Sequence, residues 1–320
     1  MHIVQQAMFA AAAMLAICAG AQAPDPDVQK TRISLGTATP GGGFPLYGGA
    51  VANVVNETDR SLQLEPRNTK GSTENIPLLE AESLDIALVS GEPAYEALMG
   101  IGRPRAALKI IAAMYSTPGM FAVRGDSPAR SIADLLGKRV VFGARGSGLV
   151  ILSRYVLDGL GFDQDKDFQA VYLDHAGEGP AMVMAGRAAA LWGGGTGWPG
   201  FTAVAQAGGR FIAPDTHELA RIRAKHPFLK PMTVPAGSYP GQSAEIRSVG
   251  SWSFILARPT LDPEIAYRLA RALHRTEDTL GKRLPQARET TAANTLAAAP
   301  SLELIHPGTL RYLREIGLAK

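Results

Sequence analysis

Bond-making chemistry needs an acid, a base, a nucleophile or a metal set, and this sequence offers poor material for any of them. The six histidines stand at positions 2, 175, 217, 226, 274 and 306, with no H-E-x-x-H and no pair at the spacing of helical zinc ligands. Gly146-Ser147-Gly148 lacks the glycine two residues before the serine that a nucleophile elbow requires. Gly143-x-x-Gly146-x-Gly148 has its glycines in the wrong order for a dinucleotide loop, and no G-K-[ST] follows it. Asp174 and Glu178, with His175 beside them, are the remaining acid/base candidates, and they read as solvated loop carboxylates. No catalytic residue, cofactor or metal site is expected.

What remains are hydrogen-bond donors and aromatic rings, which suit recognition. The densest cluster runs from Gly36 to Gly49 and contains Thr37, Thr39, the consecutive glycines Gly41, Gly42 and Gly43, and Tyr47. Ser72, Ser147 and Thr196 supply further hydroxyls at places where helices are expected to begin. Free N–H groups and a positive dipole end at such places suit an anion. Lys70 and Arg145 would neutralise a carboxylate or phosphate if their loops turn inward, and are surface charges otherwise. Tyr47, Trp192 and Trp198 are candidates for an aromatic wall.

The elements that must position these residues alternate between strand and helix. Short apolar runs at 31–35, 61–67, 84–89, 109–114, 120–124, 139–142, 188–192 and 248–257 read as strands, several ending in glycine-rich or hydroxylated turns that open helices. Pro45 suits a helix start, Ser72 and Ser147 suit N-caps, and Asp262-Pro263 opens a long helix expected to reach Leu280. Pro77 sits inside a helical pattern and should cost it a backbone hydrogen bond. The alternation implies an α/β architecture with mostly parallel sheets, in which ligands gather at the carboxyl ends of strands.

The 320 residues are 46% hydrophobic and 19% charged, a globular composition long enough for two lobes. The net charge of +3 is spread without a basic run, which gives a nucleic-acid surface no support. Residues 1–23 read as a secretory signal peptide. An apolar run at 7–19 is followed by Ala21-Gln22-Ala23, an A-x-A cleavage signal, although the start carries His2 and neither Lys nor Arg. The only cysteine, Cys18, lies inside it; bulky Ile17 precedes it where a lipoprotein box wants a small residue, so no lipid anchor is expected. Residues 24–30 read as a disordered leader. An exported chain with no thiol left must rely on core burial alone.

Several motifs together resemble the TAXI-type solute receptors of TRAP transporters, a branch of the type II periplasmic binding proteins. They are Gly71-Ser72-Thr73-Glu74-Asn75 with Leu78-Leu79, Asp85-Ile86-Ala87-Leu88-Val89, Gly146-Ser147-Gly148, Val234-Pro235-Ala236-Gly237-Ser238-Tyr239-Pro240-Gly241-Gln242, and the tail from His306 to Gly317. The resemblance implies a two-lobed periplasmic receptor, with 31–117 plus 253–320 as lobe I and 118–252 as lobe II. Two strands, near 115–123 and 248–257, would cross between the lobes as a hinge. The lobes would close on a small organic anion, such as an amino acid or a dicarboxylic or aromatic acid, and present it to an ion-driven TRAP permease. The ligand-facing loops correspond to Thr37–Tyr47, Lys70–Ser72, Glu92, Arg145–Gly146–Ser147 and Trp192–Trp198.

The chain departs from that family pattern at Phe44-Pro45-Leu46-Tyr47, where two adjacent tyrosines are usual. It also has Lys70 in place of glycine and Arg145 in place of proline. The extra cations and tryptophans suggest a ligand anionic at one end and flat or apolar at the other. Competing readings are a receptor for an ABC importer or a sensor kinase, an exported enzyme using Asp174, His175 and Glu178, and a surface adhesin.

Overall fold

A computed structural model describes residues 30–320, so the expected signal peptide and all of the expected leader but Lys30 lie outside the described residues. The chain begins with β1 (Thr31–Gly36), α1 (Gly43–Thr58), β2 (Leu62–Arg67), α2 (Ser72–Glu80), β3 (Ile86–Val89), α3 (Gly91–Met99) and β4 (Lys109–Val123). A second set follows: β5 (Arg139–Ala144), α4 (Gly148–Gly159), β6 (Gln169–Leu173), α5 (Gly179–Met184), β7 (Ala190–Gly194), α6 (Pro199–Gln206), β8 (Arg210–Ile212), α7 (Thr216–Lys225) and β9 (Lys230–Val234). Then β10 (Ile246–Ala257) leads to α8 (Pro263–Arg275), α9 (Glu277–Arg283), α10 (Ala292–Ala298) and α11 (Pro307–Glu315). Among the described residues no helix is long and apolar enough to cross a membrane.

The strand order is β2-β1-β3-β10-β4-β7-β5-β6, with β8 on β4 and β9 on β10. The flanks are parallel: β1 pairs with β2 and β3, and β5 with β6 and β7. The centre is antiparallel, since β10 pairs that way with β3, β4 and β9, and β4 with β7 and β8. The sheet is therefore mixed rather than mostly parallel. The reason is connectivity: the chain leaves the first set of elements along β4 and returns along β10, so these two strands must oppose each other.

Two of the expected strands, 109–114 and 120–124, are one 15-residue strand. Ser116-Thr117-Pro118-Gly119 looks like a turn by composition but stays extended, held by pairing of Ser116, Thr117 and Pro118 to Trp252, Ser251 and Gly250. The core changes along this strand. Ile111, Ala112, Met114 and Tyr115 pack with α1, α8 and β1, whereas Met120 to Val123 pack with residues of β5, β7 and α6. On β10, Val249 belongs to the second core and Phe254 to Ala257 belong to the first. The fold is thus two-lobed, with β4 and β10 crossing between the lobes. Where they cross, a Cβ on Gly250 would lie 2.0 Å from the Thr117 carbonyl oxygen, so only glycine permits the contact.

Local rules account for most helix ends. Ser147 caps α4 by accepting from Leu149 N–H, and Asp262 caps α8 by accepting from Glu264 N–H, with Pro263 in the first turn. The long helix expected from Asp262 breaks at Thr276, whose hydroxyl donates back to the Ala272 and Leu273 carbonyls. Helix α1 begins at Gly43, two residues before Pro45, which still lies in the first turn where its missing N–H costs nothing.

The hinge contact sets a matched pair of substitutions. Gly250→Ala should lower the unfolding free energy by at least about 1–3 kcal/mol, the usual cost of forced overpacking. Gly49→Ala, inside α1 with nothing within 4 Å, should raise it by about 0.5–1 kcal/mol. Urea denaturation of the two variants checks both signs.

Candidate functional site

Each lobe contributes strand ends and helix starts to one cleft of about 680 Å³, its open mouth included. The first lobe brings the β1–α1 loop (Ala38, Thr39, Gly42, Gly43, Phe44), the start of α2 (Lys70, Gly71, Ser72) and Ser90 before α3. The second brings Gly143, Ala144, Ser147, Gly148 and Leu149 around the start of α4, with Ala176, Leu191, Gly194 and Trp198. The hinge strands floor it with Tyr115, Thr117 and Ser253. Lys70 is the one charged residue in this lining among the described residues, and its side chain is exposed.

Contacts across the mouth tie the lobes together. Thr73 donates to the Gly146 carbonyl from its N–H at 3.2 Å and its hydroxyl at 3.1 Å, and Ala176 N–H reaches Thr39 Oγ1 at 3.4 Å. Gly71, at φ +114°, is the N-cap of α2, one position before the expected Ser72. A Cβ there would meet the Gly146 oxygen at 2.8 Å. Beside α3 and α4 a second contact set closes the lobes: Tyr155 donates to Glu96 at 2.8 Å, and Tyr95 stacks on Phe228 with centroids 4.4 Å apart.

Of the residues singled out in the sequence, Thr39, Gly42, Gly43, Lys70, Ser72, Ser147 and Trp198 come together in the lining. Thr37 lies behind it, fully buried, with its hydroxyl donating to the Arg67 carbonyl at 3.0 Å. Tyr47 is a core side chain bonded to Thr290 at 3.0 Å, and it meets Tyr115 edge-on. Trp192 is also core: its indole N–H donates to the Leu149 carbonyl at 2.8 Å, and its ring packs on Phe121. Strand β7 alternates its side chains, which turns Trp192 into the core while its neighbour Leu191 and, at the strand's end, Gly194 reach the cleft. Thr196 is half-buried outside the lining. Arg145 points to solvent, 3.8 Å from Asp174, and Gly146 serves the lobe-to-lobe bond rather than the lining. Asp174, His175 and Glu178 are exposed and outside the lining; no group of three or more metal-ligating side chains occurs among the described residues.

Glu92 is placed differently from the expectation. It is fully buried in the first turn of α3, its Oε1 accepts from the Ser251 hydroxyl at 2.5 Å, and its Oε2 has no partner among the described residues. Burial pushes its carboxyl up to about 7; the Ser251 bond opposes this and nearby Glu96 adds to it.

Sequence reasoning missed Ser90, Tyr115, Thr117 and Ser253, because strand residues that end up facing a cleft carry no local signature. It also left two family motifs without chemistry. Tyr239 now explains one: its buried hydroxyl donates to the Gly195 carbonyl at 2.5 Å and accepts from Trp198 N–H at 3.2 Å, which fixes the turn carrying Trp198. Asn75, in the 71–75 motif, donates to both the Thr37 and Leu88 carbonyls at 2.8 Å, which ties the ends of β1 and β3. In the tail, His306 accepts from Gly308 N–H to cap α11 and contacts the Leu261 carbonyl at 3.1 Å.

Two variants test these placements. Tyr239→Phe strands a buried carbonyl and N–H, so chemical denaturation should show a loss of about 1–3 kcal/mol. A raised carboxyl pKa in the fold stabilises at low pH and costs stability as pH climbs from 4.5 through about 7. Glu92→Gln should therefore raise the melting temperature at pH 8 and flatten its fall between pH 5 and 8; an unchanged pH profile would show that Glu92 does not titrate there.

Solved structures share this architecture at low identity, which speaks to fold alone. MatC from Rhodopseudomonas palustris, solved with bound malate, superposes with a TM-score of 0.59 at 13% identity, covering 90% of this chain and 97% of that one. A protein described as a periplasmic transporter gives 0.54 at 15% identity, covering 80% and 87%. A protein from Bordetella bronchiseptica RB50 gives 0.53 at 15%, covering 89% of each chain. The fold is the two-lobed α/β fold of periplasmic binding proteins. Every loop that lines the cleft lies between residues 35 and 317, the span over which the sequence matches the NMT1-like family, and the chain belongs to that family.

Proposed function

We propose that this chain is an exported solute receptor of the TAXI type, which captures a small organic anion and delivers it to an ion-driven TRAP permease from the periplasm. One observation carries the receptor reading: the starts of α1, α2 and α4, each at least nine residues long, meet in a cleft formed by both lobes. A helix start points its backbone N–H groups and positive dipole end at one place. Although Thr73 and Leu149 N–H are taken by Gly146 and Ser147, these starts, with the hydroxyls of Thr39, Ser72, Ser90 and Ser147, suit an anion. The malate in MatC is an anion of the kind meant. The TAXI assignment is supported by the motifs at 71–75, 146–148 and 234–242, and export by the segment at 1–23.

In this reading lobe I is 31–117 with 253–320 and lobe II is 118–252, divided where β4 and β10 change cores. The ligand contacts are Thr39, Gly42, Gly43, Lys70, Ser72, Ser147 and Trp198. A ligand touching both lobes holds them closed only through its higher affinity for the closed form. Donors that are neutral and fixed do this without burying a protein charge.

Thermal-shift measurements on residues 24–320 against carboxylic acids and amino acids test the proposal. A true ligand at a hundred times its dissociation constant should add roughly 2.7 kcal/mol of stability, a rise of several degrees. Ser147→Ala removes a cleft hydroxyl and a helix cap, and should weaken that ligand clearly. Lys70→Ala should weaken it at most about fivefold, in a salt-dependent way, because the ammonium is exposed. Arg145→Ala should leave affinity unchanged. No shift across a broad acid library would refute the proposal.

A further inference from the structure

The set of groups at one end of the cleft differs from that at the other. Around α2, α3 and α4 the elements close on each other: Gly71 meets Gly146 beside the lining, Gly148 meets Ser90, and Ser72 bonds Ser90 at 3.3 Å. These groups form the anion end. Around the start of α1 a different set meets. A Cβ on Gly43 would lie 3.2 Å from Trp198 Cδ1, 3.6 Å from the Tyr115 hydroxyl and 3.7 Å from Gln286 Oε1. A Cβ on Gly195, across the cleft in the other lobe, would lie 3.0 Å from Gln286 Nε2 and 3.8 Å from the Tyr115 ring.

One polar group at this second end is a buried orphan among the described residues, Gln286 Nε2, which lies just behind the lining, and the Tyr115 hydroxyl stands beside it in the lining itself. Tyr115 is 4% exposed and lines the cleft, and its ring is held by Tyr47. Burial pushes its phenol up, so it stays a neutral O–H. Gln286 is 5% exposed, with Nε2 buried and unbonded. It rides on the turn Pro285–Glu289, which is fastened to the hinge strand where Glu289 accepts from Ser116 N–H at 2.6 Å and from its hydroxyl at 3.0 Å. Buried polar groups are ordinarily paired, because an unpaired one loses its hydration without return. A buried orphan amide behind a cleft-lining hydroxyl, both on rigid supports from one lobe and facing the other, marks a place where a partner arrives from outside the chain.

We propose that Tyr115 and Gln286 form a second polar subsite, which reads a neutral oxygen on the ligand, a hydroxyl, keto or amide group, at the end away from its carboxylate. This rests on the receptor reading above and replaces the expectation of a flat or apolar far end. Trp198 then flanks the ligand, and the tip of the ligand meets the hydroxyl and the amide. An alkyl or aryl tip would leave both groups desolvated and unpaired, and sites built this way reject analogues that lack the bonding atom.

Calorimetric titration of straight-chain alkanoates of three to six carbons, beside their terminal hydroxy and amide counterparts, tests the subsite. At the best-fitting length the oxygen-bearing acid should bind the wild type about tenfold or more tightly than the plain acid. Gln286→Leu and Tyr115→Phe should each reduce that preference to about threefold or less. They should leave plain-acid affinity unchanged, and the melting temperature of the free protein unchanged or higher, since an orphan has been removed. Equal binding of both series by the wild type overturns the subsite and leaves the receptor reading standing. So does loss of both series together with a lower melting temperature, which marks a purely structural role. Binding of neither series removes the anion-receptor reading and the subsite with it.

Discussion

Antiparallel pairing of β4 with β10 is the constraint on which the other features rest. The two strands are the route out of the first lobe and the route back, and they pair from Lys109–Ala257 through to Pro118–Gly250. Because they lie side by side, the lobes share one sheet order and the cleft opens above their crossing point. Thr117 and Ser253, bonded to each other at 3.2 Å, supply its floor. The same pairing places Glu289 against Ser116 and Ser251 against Glu92, so side chains from distant parts of the sequence report on the hinge.

A second constraint is electrostatic. The cleft collects hydroxyls and helix starts and buries no cation: Lys70, in its lining, keeps an exposed side chain, and Arg145, outside it, is paired loosely with Asp174. An anion held by dipoles asks for no buried counter-charge, so in the proposed reading closure would bury no protein charge from this lining. It also makes recognition depend on geometry. The donors act together only when α1 and α2 of one lobe face α4 of the other, as they do where Thr73 reaches Gly146.

Much of this was legible in the sequence, and the parts that were not share a cause. Glycine-rich turns before apolar helical runs identified the β1–α1, α2 and α4 starts, because cap and turn chemistry is local. The two-lobed fold followed from motif resemblance and strand–helix alternation. Continuity of β4 through Ser-Thr-Pro-Gly was hidden, since tertiary pairing overrode a composition that favours a turn. Trp192 and Tyr47 look like cleft walls by type and neighbourhood, yet strand alternation and helix facing turn them into the core. Tyr115 and Gln286 carry no local signal, being brought to the cleft from the hinge strand and from a turn some 170 residues later. Tyr239, a marker without a role on the sequence alone, acquires one only when its hydroxyl is seen holding the Gly195–Trp198 turn.

The contacts beside α3 and α4 have a thermodynamic consequence. Tyr155 on Glu96 and Tyr95 on Phe228 join the lobes without touching the cleft lining, so in a receptor that opens and closes as proposed they would weigh on the open–closed equilibrium of the empty protein. Apparent affinity is the intrinsic affinity scaled by the fraction of molecules already competent to bind. Each increment of about 1.4 kcal/mol that this latch gives the closed form multiplies the competent fraction tenfold while that fraction is small. Evolution can therefore set the threshold concentration of such a receptor from a surface that never meets the ligand, leaving its selectivity untouched.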